Sequence, residues 1–483
     1  MKSQTRNPKS EIRMFTSACE RASTLVIVLW IAFGLVSLAL YFSHTMSFEL
    51  RASDNDVCGL SAGQSIDGAI RYLNSVLVNS ETNGVMPDPA TYLSQAVRVG
   101  DSHFWLIGRD TNSTGVASSQ VTFGLVDEAS KLNLNTATSN MLYYLPRMTA
   151  NLTAAILDWR DTNGGSGSFE MYYGMHNPPY QNKAAPFDTV EELKLVYGAD
   201  LYTLIGEDLN RNGILDPNET DDNRNGTAEP GVLDYLTVYS REPNTYSNGL
   251  PRINITTVAE NGPFSTLIQS TFNSGRANSI LTALGLVSTG QRGQNRGAGP
   301  TTAGTGRPGG ASVSASFTSP LALYRRGGMT VDEFALIGNC LTARGTNFID
   351  GRVNINTASA AVLSCLPGLS DNPSLAQTLT AYREQNPDKL SSIAWIVDAL
   401  GQGNSSTLDA LQAVDCITTQ TYQLTADIAA LGPHGRGYRR VRVVLDTVTG
   451  TPRIIYRQDL THLGWALGKE VRQNWLFAAK DIR

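Results

Sequence analysis

Residues 22–48 contain no Asp, Glu, Lys or Arg, and a charge-free run of that length near the start of a chain constrains everything after it. Its most apolar part, residues 24–42 (TLVIVLWIAFGLVSLALYF), is 19 residues long. At a helical rise of about 1.5 Å per residue this matches roughly the 30 Å of a hydrocarbon core, so the segment can span a membrane once. Residues 1–22 carry Lys2, Arg6, Lys9, Arg13 and Arg21 against Glu11 and Glu20. Basic flanks stay on the cytoplasmic side, so the bulk of the chain is expected outside the cytoplasm. A cleaved secretion signal is the competing reading, but its apolar region is usually only about 7 to 15 residues and ends at a small-residue site. Residues 37–48 (SLALYFSHTMSF) end that way poorly, and a retained anchor is the reading adopted.

A chain of 483 residues is too long for one core and should divide into two or more domains. Its net charge of −5 and its 17% charged residues give no global basic field for nucleic acid. The cysteines, Cys19, Cys58, Cys340, Cys365 and Cys416, form no CxxC pair. Beyond the leader four remain, and both one or two disulfides and unpaired buried thiols fit that pattern.

After the anchor, apolar residues continue at helical spacing through Leu60, Ile66, Ile70, Leu73, Val76 and Leu77 with no proline before Asn79. One helix should therefore run from the membrane into the outer part and pack one face on a sheet. Residues 104–107 and 121–126 read as short strands, separated by a turn-rich stretch at 109–118. Two segments then match without gaps: KLNLNTATSNMLYYLPRM at 131–148 and RVNINTASAAVLSCLPGL at 352–369. In each, the Asn-Thr pair is read as a helix cap, and a second helix follows, at 152–160 and 375–383, making a helix, Pro-containing turn, helix unit. Further helical patches are expected at 187–196 and 390–400. Residues 290–312 have no apolar pattern and read as a loop. The C-terminal end alternates through Leu424 and Ala426, then Val441, Val443 and Leu445, then Ile454 and Tyr456, which predicts three antiparallel strands turning near Gly435 and Gly450. The fold class is α+β: leader 1–22, transmembrane helix 23–48, stem helix and first strands 49–130, an inserted mainly α-helical domain 131–415, and closing strands 416–483.

Residues 208–219 read DLNRNGILDPNE. Asp208, Asn210, Asn212, Asp216 and Glu219 occupy the first, third, fifth, ninth and twelfth places, and Gly213 the sixth. That is the spacing with which a loop wraps calcium, with Ile214 offering its carbonyl and the final Glu both oxygens. A second run places Asp221, Asn223, Asn225 and Glu229 alike, but Val232 falls where Glu is expected. Structural Ca2+ is the expected cofactor, since a hard, redox-inert ion in an oxygen cage orders the loop that supplies it.

Enzymatic signals fail on context. Gly59-Leu60-Ser61-Ala62-Gly63 matches a nucleophile elbow but lies within the expected stem helix rather than at a strand-to-helix turn. The glycine pattern at 304–309 has no preceding strand, and the five histidines show no metal-ligand spacing. No catalytic activity is expected. Helical hairpins can grip a DNA backbone when turn glycines let N–H groups approach phosphate, but LPRMTANL has no glycine and LPGLSDNPSL carries Asp371. Packing and protein contact is the expected use, not nucleic acid.

Together these residues resemble the K-type minor pseudopilins of bacterial type II secretion, the general secretion pathway protein K family. The likeness rests on RASTLVIVLW (21–30), the two NxNTA segments, LDWRD (157–161), PPY (178–180), PFDTVEELKLV (186–196) and the calcium-type loop. The resemblance implies a pilin-like antiparallel sheet carrying the inserted domain, and a leader cut by the prepilin peptidase between Ala22 and Ser23. Gly is usual before that cut, and Ala22 departs from it. It further implies an inner-membrane protein with its bulk in the periplasm, assembling with the I- and J-type minor pseudopilins, the major pseudopilin and the inner-membrane secretion platform. Most such subunits carry Glu as fifth residue after the cut; here that place is Ile27. A carboxylate alone in hydrocarbon costs on the order of 2.5–3.5 kcal/mol or more, so its absence implies a subunit at the tip. The alternative is a membrane-anchored DNA-binding or DNA-uptake protein using its hairpins.

Overall fold

A computed structural model describes residues 12–79, 83–109, 120–164, 167–246, 249–287, 314–471 and 473. The loop read at 290–312 lies outside the described residues, as do residues 1–11 and the side chains of 12–23, including Ala22 and Ser23.

Helix α1, Ile12–Val78, is continuous over 67 residues. Its Thr24–Val78 portion is the one helix among the described residues long and apolar enough to cross a membrane. Every side chain from Thr24 to Val57 is exposed, and burial begins at Cys58. From there Ala62, Ile66, Ala69, Ile70, Leu73 and Leu77 repeat every three or four residues and are buried against the sheet. Burying the four large ones contributes on the order of 6–12 kcal/mol. Where the helix meets the sheet, Gly437 has φ +67 and a Cβ there would stand 2.2 Å from the Cys58 carbonyl carbon. Only glycine permits that approach.

Strands β1 (Val97–Val99), β2 (Ser102–Ile107) and β3 (Val126–Asp127) open the sheet. The strand expected at 121–126 does not form as one piece: Phe123 makes a single bridge to Ile107, and only Val126 and Asp127 pair further on. Gly124, at φ +150 beneath the Tyr92 hydroxyl, interrupts the run. After β3 the chain leaves the sheet.

In the excursion, β4 (Leu132–Asn133) leads into α2 (Ser139–Tyr143) and α3 (Ala150–Arg160), and β5 (Leu236–Thr237) returns to pair with β4 in parallel. The same order recurs later. Strand β6 (Val353–Asn354) leads into α4 (Ala360–Leu363), α5 (Ser374–Gln385) and α6 (Ser405–Ala413), and β7 (Ile417–Thr418) pairs with β6 in parallel. The helix caps are Thr138 and Ser359, accepting from the N–H groups of Met141 and Val362, not the Asn-Thr pairs. Asn133 and Asn354 instead fold their Oδ1 onto the N–H groups of Asn135 and Asn356, which turns the chain three residues before each cap. Arg160 donates to the carbonyls of Leu134 and Ala137. Arg383 donates to those of Ile355 and Ala358, the matching positions of the second segment. The patch at 187–196 is a 3-10 turn, Val190–Leu195, closed by a Thr189–Glu192 capping box. The patch at 390–400 is helical over Trp395–Leu400.

The chain re-enters the sheet as β8 (Gln423–Leu431), β9 (Arg439–Asp446) and β10 (Arg453–Asp459), all antiparallel. The order is β1-β2-β8-β9-β10, with β3 pairing the start of β8 beyond the end of β2. Buried Asp127 ties the excursion to this junction, accepting from Asn354 Nδ2 (2.8 Å), Thr357 Oγ1 (2.6 Å) and Thr421 Oγ1. Cys58, Cys340, Cys365 and Cys416 are free thiols, so the disulfide alternative gives way to unpaired sulfur. Burial pushes the Cys365 and Cys416 thiols up to about 12.

Candidate metal-binding loops

The segment 207–232 lies between three parts of the molecule: the sheet, the excursion's first helical hairpin, and the short helix Leu201–Ile205 that precedes it. In loop 208–219, Asp208 accepts from the N–H groups of Asn212 (2.9 Å) and Gly213 (2.8 Å), and Gly213 at φ +82 makes the turn. Glu219 closes the loop on the N–H groups of Asn210 (3.2 Å) and Asp216 (2.9 Å). The Asp216 carboxylate accepts from the side-chain amides of Asn210 (2.6 Å) and Asn212 (2.9 Å). Asn210, Asn212 and Asp216 therefore meet through their side chains, Asp208 and Glu219 close on the loop's backbone N–H groups, and Ile214 joins Trp105 and Leu467 in a buried apolar cluster.

Among the described residues no Lys or Arg makes an ion pair with the carboxylates of this loop, and the charge of Arg109 offsets only part of what burial does to Asp208. Burial, then the nearby Asp208 and Asp216, push Glu219 up to about 7, and burial likewise raises Asp208. Asn210 is 5% exposed, and its Oδ1 has no hydrogen-bond partner. A buried acceptor without a donor costs about 1–3 kcal/mol, and three mutually repelling carboxylates add to that. A small hard cation satisfies both, so the donors fit calcium. Among the described residues no group of three or more His, Cys, Asp or Glu is already drawn together to hold a metal, because each carboxylate is turned onto backbone N–H or Asn amide groups.

The loop is anchored on the sheet. Arg440 of β9, 0% exposed at its side chain, donates to the carbonyls of Asn210 and Arg211 while paired with Asp427 of β8 at 2.7 and 2.8 Å. Burial alone would raise the Asp427 carboxyl, but the Arg440 and Arg442 guanidiniums hold it well below the usual carboxylate range. Arg109 adds a bond to the Arg211 carbonyl (2.8 Å), and Asn210 Nδ2 donates to the carbonyl of Trp465 (3.3 Å).

The second loop repeats the first. Asp221 accepts from the N–H groups of Asn225 and Gly226, and Glu229 from the side-chain amides of Asn223 and Asn225. Val232, at the twelfth place, is buried in the excursion's core. Its missing carboxylate is replaced by Glu207, which accepts from the N–H groups of Asp222 (3.0 Å) and Glu229 (3.2 Å) much as Glu219 does in the first loop. Spacing missed Glu207 because it precedes the first twelve-residue frame and reaches the second only through the fold.

The helical hairpins differ at their turns. Gly368, at φ +78, is covered by α6: a Cβ there would lie 2.9 Å from Thr407 Cα, and the Thr407 hydroxyl donates to the Gly368 carbonyl. Ser61 lies inside α1 with its hydroxyl 2.7 Å from that of Ser102.

Residues 350–393 match the helix-hairpin-helix motif family. The structure is similar to a chain in the crystal structure of the GspK-GspI-GspJ complex from the enterotoxigenic Escherichia coli type 2 secretion system, at 10% sequence identity and a TM-score of 0.40, covering 85% of this chain and 99% of that one. No curated protein matches the sequence.

Proposed function

We propose that this chain is a K-type minor pseudopilin that initiates or caps a type II secretion pseudopilus. The observation that carries the reading is α1: bare from Thr24 to Val57, then packed along one face on an antiparallel sheet whose strands are separated by a large insertion. A bare apolar helix continuous with a buried stem is the form expected of a subunit that stands in the inner membrane and packs helix to helix in a filament. Its bulk would lie in the periplasm, with the I- and J-type subunits as partners and no catalytic role. Calcium, held by Asp208, Asn210, Asn212, the Ile214 carbonyl, Asp216 and Glu219, would supply the positive charge that no ion pair brings to these carboxylates. With Arg440 the loop would keep the insertion seated on the stem domain.

Co-expression of the full chain with its neighbouring pseudopilin-like proteins tests the reading: a stable complex held through α1 is expected, and failure to form any complex refutes it. Ile27→Glu, which creates a membrane-embedded carboxylate, is expected to disturb tip localisation, and normal localisation with equal secretion counts against the tip assignment. The helix-hairpin-helix match favours a second reading, DNA binding. The turn glycine of that hairpin is covered by α6 rather than open to a phosphate, and salt-dependent duplex binding by the purified chain would restore this alternative.

A further inference from the structure

Arg147 stands at the position of the first hairpin that Gly368 holds in the second, in the matching sequences LPRM and LPGL. It keeps the left-handed backbone, with φ +62 against +78, although a side chain disfavours that conformation. A strained residue of this kind persists where its side chain is held, and this one is held at the second loop. Its Nη2 lies 3.5 Å from Glu207 Oε1 and 3.5 Å from Glu229 Oε2, and the guanidinium stacks 4.2 Å over the Tyr202 ring. Its Nη1 is buried with no hydrogen-bond partner. The two carboxylates it touches are the one that replaces the missing twelfth ligand and the ninth-place ligand. No Lys or Arg among the described residues makes an ion pair with Asp208, Asp216 or Glu219 of the first loop.

We infer that Arg147 is a tethered cation for the second loop, neutralising Glu207 and Glu229 so that this loop keeps its shape without an ion and the chain carries one calcium, in loop 208–219. The inference rests on the calcium reading of the first loop. A guanidinium also repels a dication: at a few ångströms the two charges compete for the same oxygens, so removing it should tighten the second site on the order of tenfold or more.

Calcium binding to the full-length chain in detergent, measured by calorimetry and equilibrium dialysis with calcium alone, separates the two claims. The wild-type chain should bind one ion, and Arg147→Gly, which suits the positive φ, should bind two. Asp208→Ala with Glu219→Ala should remove the wild-type ion and leave one in the Arg147→Gly background. Arg147→Asn, which also tolerates positive φ, repeats the measurement if glycine loosens the hairpin. One ion in both Arg147 variants, or two in the wild type with affinities unmoved by the substitution, overturns the role of Arg147 while leaving calcium in the first loop. No ion in any variant overturns the calcium reading itself.

Discussion

Replacing Arg440 by Met should damage the molecule in two places at once. The guanidinium is fully buried, gives two bonds to Asp427 and caps the carbonyls of Asn210 and Arg211. Removing one partner of a buried ion pair costs about 3–5 kcal/mol, and the Asn210 carbonyl losing its donor adds about 1–3 kcal/mol where water does not replace it, while the Arg211 carbonyl keeps its bond from Arg109. Arg442 remains 2.9 Å from Asp427, so the charge is not left alone and the low end of that range applies, about 3–5 kcal/mol in total. Urea unfolding followed by far-UV circular dichroism reads the global loss. Hydrogen exchange over 208–219 reads the local one, where the Asn212 and Gly213 amides should exchange faster than those of β8. A loss below about 1 kcal/mol would refute the buried-pair argument. Unchanged exchange in the loop, with a global loss intact, would show that Arg440 does not seat it.

Glu219 titrates near 7 instead of 4.5, so between those values the ion-free folded chain binds a proton that the unfolded chain has lost. Its stability contribution is complete below about pH 4.5 and is lost as pH rises through 7. Calcium needs the deprotonated form, and the rise in melting temperature it produces should be larger at about pH 8 than at about pH 5.5; an equal rise would remove Glu219 from the ligand set. Gly368→Val places a β-branched residue at φ +78 against Thr407 and Ala410, with an expected loss of about 2–5 kcal/mol in thermal unfolding, and a neutral result would mean that α6 does not press on this turn. Ile66→Ala, at a fully buried position of α1, should cost about 2–5 kcal/mol in denaturant unfolding. Leu60→Ala, on the exposed face, should change stability by less than about 0.5 kcal/mol, and equal effects at the two positions would contradict the face assignment.

What was legible in the residues was local. Helical spacing from Ile66 to Leu77 marked the face of α1 that is buried, whereas Leu60, read as part of the same stripe, is exposed, and alternation marked β8, β9 and β10. The twelve-residue frame marked a stretch that folds back on itself through its own Asp and Asn side chains. What was not legible depended on distant residues. Alternation in β9 puts Val441, Val443 and Leu445 on one face and so gives Arg440 to solvent, yet the calcium-type loop covers that face and buries it. Glu207 and Arg147 lie outside any motif frame and reach the second loop through the chain's path. The caps moved from the Asn-Thr pairs to Thr138 and Ser359 because the side chains of Asn135 and Asn356 are taken by distant segments, Asn135 by the backbone of Phe187 and Asn356 by the Leu390 carbonyl and the Trp395 indole N–H.

The sheet is completed by residues from opposite ends of the sequence, with Ile107 opposite Asp427 and Asp127 opposite Leu424. No central strand exists until synthesis has passed β8, so the earlier strands and the stem helix must wait, half-covered, for almost the entire chain. Contacts of such separation are slow to form unless something brings their ends together. The excursion can do this: its own core is large, and once folded its Asn354 and Thr357 hold Asp127 beside Thr421, two residues before β8 begins. Assembly would therefore run from the inside of the sequence outward. A truncation that spares the excursion but removes β8 would leave a folded knob on a stem with no sheet, and the stem's apolar face would remain open to proteases and chaperones.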